Sequence, residues 1–210
     1  MMKILLTLFS LWLGGGAETN ASQWKNDVLD SVAKADVANC TQYPKMSNLD
    51  AQFLCEDLLI KVSNSLYKNW LNGGDRAAKA QYIAEWWSTE DTSSLKNPLV
   101  RLHLAALLGQ SGFGDVTEQR EYARKHLFSG NELIQGNAII AIGWVGNCDD
   151  VKSIVTIINM EQEGIAEEAV LSLLTLRGPR KSLSLLTELS GNVKRESLRK
   201  FIEKQLSSFG

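Results

Sequence analysis

The stretch Val100-Arg101-Leu102-His103-Leu104-Ala105-Ala106-Leu107-Leu108-Gly109-Gln110-Ser111-Gly112 decides the fold, because the chain repeats it. Ile134-Gln135-Gly136-Asn137-Ala138-Ile139-Ile140-Ala141-Ile142-Gly143-Trp144-Val145-Gly146 lines up with it 34 residues on. Ala166 through Gly178, ending Leu173-Leu174-Thr175-Leu176-Arg177-Gly178, follows after a further 32, with Gly112, Gly146 and Gly178 in register. A period in this range marks stacked helical units, each unable to hide its apolar side without the next.

Between the copies lie segments with apolar residues on one side only. Asp115 starts one, through Val116, Ala123 and Leu127. Asp149-Asp150 start another, with Val151, Ile154, Val155 and Ile158 inward, and Pro179 precedes Leu183, Leu186 and Leu189. An amphipathic helix alternating with one that is apolar nearly all round predicts an outer and an inner layer. The last helix, Val193 to Leu206, has a single apolar stripe and a charged opposite face, as a terminal cap requires.

Residues 22–96 predict a helical extension ahead of the repeats of 97–210. Trp24, Val28, Val32 and Ala35 keep helical spacing, and Phe53, Leu54, Leu58, Leu59, Val62 and Leu66 form the apolar side of a helix from Asn48 to Leu71. Asp75 caps a third helix carrying Ile83 and the pair Trp86-Trp87. The polar run from Ser88 to Asn97 is the candidate boundary. Only three prolines interrupt the chain, which suits an all-α protein.

Residues 1–21 read as a signal peptide. Met1-Met2-Lys3 is a positive start, Ile4 to Leu13 is apolar, and small residues follow, with cleavage after Ala17 or after Ala21. The apolar run is about half the roughly 20 residues a membrane span needs. The expected location is therefore the periplasm or the outside of the cell. In that setting a bridge between Cys40 and Cys55 would staple a helical hairpin, worth about 3 kcal/mol. Cys148 reads as a small buried residue at a helix start, although pairings through it stay open.

The repeat residues resemble HEAT-repeat proteins, especially the short bacterial kind also seen in phycobilisome-lyase-like repeats. Val100-Arg101, Ala105-Ala106, Leu108-Gly109, Gly112 and Asp115 carry the resemblance in the first unit. Ile134-Gln135, Ala138, Ala141, Ile142-Gly143, Gly146 and Asp149 carry it in the second. The resemblance implies a right-handed α-α superhelix, a HEAT-like solenoid, used as a scaffold or binding module rather than an enzyme. It also implies a structural ladder through Arg101, Asp115 and Asp149, interrupted at Gln135 and Ala166.

Catalytic chemistry finds little support. His103 and His126 are the only imidazoles, and they lie on different helices without metal-ligand spacing. Gly112-Phe113-Gly114 lacks the glycine and lysine of a phosphate loop. A net charge of -2 argues against nucleic acid. No metal or cofactor is expected, and a membrane-surface role is disfavoured. The basic stretch from Arg177 to Lys204 reads as a solvated face.

The expected function is non-catalytic binding of another protein, as an exported scaffold or adaptor. The alternative is a periplasmic inhibitor or immunity protein that neutralises a toxin or enzyme. The polar residues of the inner helices, Arg101 with His103, Gln135 with Asn137 and Glu167 with Glu168, are the candidate contacts, with Trp86 or Trp87 at one end.

Overall fold

Pro98 starts a helix where its missing N–H does no harm, and α4 (Pro98–Ser111) runs until Gly112 takes a positive φ of 73° that side chains disfavour. Ahead of it come helical residues 20–31 (α1), α2 (Leu49–Tyr67) and α3 (Arg76–Ser88). After it come α5 (Thr117–His126), α6 (Glu132–Val145), a 3-10 turn at Cys148–Asp150, α7 (Val151–Met160), α8 (Glu163–Arg177), α9 (Pro179–Asn192) and α10 (Glu196–Ser207). The structure, a computed structural model, describes residues 20–31, 40, 49–67, 70, 75–89, 95, 97–160 and 162–209, and no strand occurs among them. The apolar leader, the loop around Pro44, Gly73-Gly74 and most of the Ser88–Asn97 run lie outside the described residues. The chain divides into two compact units, 1–104 with 111–114, and 105–110 with 115–210.

The first unit is built on tryptophan. Trp24 of α1 is buried, with ring centroids 5.5 Å from Trp70 and 5.6 Å from Trp86, and its indole N–H donates to the Leu66 carbonyl at 3.2 Å. Lys79 lies buried with its amino group 6.0 Å over the Trp24 ring. That burial, with Arg76 nearby, lowers its pKa. Asp75 caps α3 as expected, accepting from Ala77 N at 2.8 Å.

Cys40 and Cys55 form the expected bridge, with Cα atoms 5.6 Å apart. Asn97 is fully buried beside this bridge. Its amide donates to the Cys40 carbonyl at 3.0 Å, and its side-chain oxygen accepts from Leu99 N at the start of α4. On α2 the buried residues are Cys55, Leu59, Val62 and Leu66, whereas Phe53 and Leu54 are exposed, against expectation. The segment has apolar residues on more than one face, and packing chose the one that carries the cysteine.

In the second unit α6, α8 and α10 touch in succession, and each takes the preceding helix, α5, α7 or α9, against it. Burial repeats from α4 to α6 at 34 residues (Ala105 and Ile139, Leu108 and Ile142), as the sequence predicts. From α6 to α8 it repeats at 31 (Ala138 and Ala169, Ile142 and Leu173), not 32. The aligned glycines differ in kind, which explains the slip. Gly146 closes α6 with φ -69°, while Gly178 follows a longer helix with φ 76°.

The Leu-Gly of the repeat is a packing point. A Cβ on Gly109 would sit 2.8 Å from the Trp144 backbone and 2.7 Å from Val145, and one on Gly143 would sit 3.2 Å from Ser172 Cα. We therefore expect Gly109→Ala to cost about 2 kcal/mol in urea unfolding, overpacking outweighing the helix-propensity gain. Gly191→Ala, with nothing within 4 Å, should be neutral or stabilising. Equal effects at the two sites would refute the close approach.

Candidate functional site

The solvent side of α6 is a stripe at helical spacing: Leu133, Gly136, Asn137, Ile140 and Trp144. Thirty-one residues on, α8 presents Gly164, Glu167, Glu168, Leu171 and Thr175 at the same stations. Asn137 and Glu168 are therefore equivalent, as are Ile140 and Leu171. Trp144 is 42% exposed and Leu171 is 38% exposed, each on a stripe that also carries a half-buried polar group, Asn137 on α6 and Glu168 on α8. An exposed tryptophan on a helix flanked by half-buried polar groups is the usual anatomy of a protein contact. Burial raises the Glu168 pKa, so its carboxyl already gives up some solvation.

Of the residues singled out in the sequence, Asn137, Glu167 and Glu168 belong to this face. Asn137 also donates to the Leu133 carbonyl of its own helix at 2.7 Å. Gln135 does not belong. It is buried and donates to the Leu127 carbonyl at 3.0 Å, closing the turn between α5 and α6. Trp86 and Trp87 are buried at 7% and 8% exposure, which corrects the idea of an exposed anchor there. Arg101 stacks 4.1 Å over the Trp87 ring and donates to the Trp87 carbonyl at 3.3 Å. Its role in the first unit is to clamp α3 to α4.

His103 is half-buried, edge-on to Tyr67 with centroids 5.6 Å apart, and desolvation pushes its pKa down to about 4. The folded state thus holds the neutral imidazole. Stability is full above the unfolded value near 6.5 and drains away as pH falls toward 4, because the unfolded chain takes up the proton first. We expect about 2 kcal/mol of the loss between pH 7 and pH 4 to come from His103, after allowing for its partial exposure. His103→Gln should flatten that part of the pH–stability curve. An unchanged slope would remove the assignment.

Asp115 bonds within its own turn, accepting from Thr117 N at 3.0 Å and Thr117 Oγ1 at 2.7 Å, which lowers its pKa. Asp149 is exposed. The ion pair that crosses between helices in the second unit was not foreseen. Arg124 of α5 meets Asp150 at 2.6 Å through Nε, and Asp150 also accepts from Asn147 N at 2.8 Å. The cap of this turn is Asn147, with Asp150 completing a capping box. Cys148 is exposed and free, against the expectation of a buried position, since its neighbours carry the capping and it faces solvent. Among the described residues no group of three His, Cys, Asp or Glu is placed to hold a metal ion.

Sequence reasoning missed Trp144 because α6 looked apolar all round. The signal was its spacing from Asn137 and Ile140, seven and four residues back. Compared with protein-family models, curated proteins and solved structures, the chain gives no match in any of the three.

Proposed function

We propose that this protein is an exported, non-catalytic HEAT-like scaffold or adaptor, a right-handed α-α superhelix that binds another protein. The α6–α8 face is its contact surface. The succession of α6, α8 and α10, each backed by the preceding helix, supports the solenoid reading. The single observation that carries the binding role is Trp144, left in solvent in line with Ile140, whose equivalent on α8, Leu171, is exposed as well. A photoreactive residue at Trp144 in living cells should crosslink to one protein. The Trp144→Ala, Leu171→Ala double variant should lose the same protein on co-purification while its melting temperature holds. Equal capture by a probe at exposed Phe128, or by the double variant, would overturn the assignment.

The Cys40–Cys55 bridge supports an oxidising compartment. Among the described residues no helix is long and apolar enough to cross a membrane. Residues 20–31 are helical and Ala21 is buried, so cleavage after Ala17 preserves the packed start of α1 and cleavage after Ala21 removes it. Mass spectrometry of the exported protein should therefore find Glu18 at its N-terminus. A mature chain starting at Ser22 would contradict this.

A further inference from the structure

The contacts between α6 and α8 fix which of their residues share a side. Gly136 meets Ile165 and Gly143 meets Ser172, in the same order along both helices, so the two run parallel. One place after the α6 contacts, Asn137 and Trp144 turn about 100° away from the interface. One place before the α8 contacts, Gly164 and Leu171 turn about as far in the opposite sense. In parallel helices those two rotations lead to one side of the pair. Because Gly143 is level with Ser172, Trp144 and Leu171 lie within a helical turn of each other along the axis. Glu167 and Glu168 stand further toward the N-terminal end, near the level of Asn137.

This face therefore has an apolar end and an acidic end. α6 contains no lysine or arginine, and α8 contains only Arg177, its last residue, about 15 Å along the axis from Glu167. Glu132 and Glu163 add exposed carboxylates where the two helices begin. Glu167 and Glu168 come after the first turn of α8, where the helix dipole no longer rewards a carboxylate. Among the described residues, the ion pairs of this unit lie elsewhere, joining Arg124 to Glu121 and Asp150, and Lys200 to Glu196. Burial is the only cause of the raised Glu168 pKa, with no cation near enough to lower it. Half-buried carboxylates on the same side as an exposed tryptophan and leucine form a surface complementary to positive charge.

We infer, on the reading of α6–α8 as the contact surface, that this face receives a basic amphipathic segment of the partner protein. Its cations sit at Glu167 and Glu168, and its apolar residues pack on Trp144 and Leu171 one to two helical turns away. Arginine suits the site best, because its planar fork matches carboxylates and its face stacks on indole.

The test is an NMR titration of the mature protein with three helical peptides of about 16 residues. They share one leucine face, and their polar face carries arginine, glutamine or glutamate. The arginine peptide should shift the amides of α6 and α8 saturably, with a Kd of about 100 μM or tighter. The glutamine peptide should bind about tenfold more weakly, and the glutamate peptide more weakly still. Glu167→Gln with Glu168→Gln should cost the arginine peptide about tenfold and leave the glutamine peptide unchanged. The same charge change at exposed Glu118 and Glu188 should cost less than about twofold.

A glutamine peptide that binds this face as tightly as the arginine one would overturn the inference and leave α6–α8 as the contact surface. So would equal losses from the two double glutamine variants. No shift of these amides by the arginine peptide up to about 1 mM would also overturn it. Unchanged affinity for every peptide in the Trp144→Ala, Leu171→Ala variant would take the contact surface down as well. Concentration-dependent shifts of the same amides without peptide would seat a second copy of the chain there, against a basic partner.

Discussion

Asp150→Ala is expected to remove about 3 to 4 kcal/mol of stability, read as a drop in the urea midpoint with an unchanged slope. The Asp150 side chain is only 4% exposed and does two jobs at once. It receives Arg124 through two guanidinium nitrogens, Nε at 2.6 Å and Nη2 at 3.1 Å, and it accepts the Asn147 N–H that opens the turn. Alanine takes the buried carboxylate away from a guanidinium left only with the exposed Glu121 and with Asn147, and it uncaps the 3-10 turn at the same time; losing one partner of a buried pair costs more than the pair is worth. A double-mutant cycle with Arg124→Met should return a coupling of about 2 kcal/mol. The exposed pair Lys61–Asp57, with both side chains more than half in solvent, should return a few tenths. Comparable couplings at the two sites would show that burial is not what gives the Arg124 pair its strength.

Trp24→Ala should be as damaging, at about 4 kcal/mol, because it empties the centre of the first unit. The ring touches Trp70 and Trp86, its N–H satisfies the Leu66 carbonyl, and Lys79 lies over its face. Removing it leaves a cavity, takes the indole donor from the Leu66 carbonyl and leaves a buried ammonium without its aromatic cover. Trp24→Phe keeps most of the contact and should cost about half as much. Near-ultraviolet circular dichroism gives an independent reading, since coupled indoles should lose signal in the alanine variant. A loss under about 1 kcal/mol would mean that α1 contributes little to this core.

How far the sequence could be read depended on the range of the forces involved. Repetition and helical period are local, so the helices and their order from Pro98 onward were legible, as were the Asp75 cap and the turn at Gly112. The glycines at 109 and 143 were visible as a motif, but their reason was not, because a close approach of two backbones leaves no trace in either helix alone. Arg124 and Asp150 stand 26 positions apart on different elements, and no periodicity links them. On α6 a nearly uniform apolar composition hid the stripe that includes Trp144. The same ambiguity put Phe53 and Leu54 on the wrong side of α2, where the neighbour rather than the pattern decides which face is covered. Gln135 fell the other way, since an amide on an inner helix is equally suited to a partner and to the open carbonyl of the preceding turn.

Asn97 has a practical consequence. One buried amide both opens α4 and holds the backbone carbonyl of Cys40, one end of the Cys40–Cys55 bridge, so thiol redox state and helix nucleation are not independent in the first unit. A chain produced in a reducing cytosol forfeits the cross-link and loosens the start of α4 together. Yield of well-folded material should then depend on the production host more steeply than the loss of one covalent bond implies.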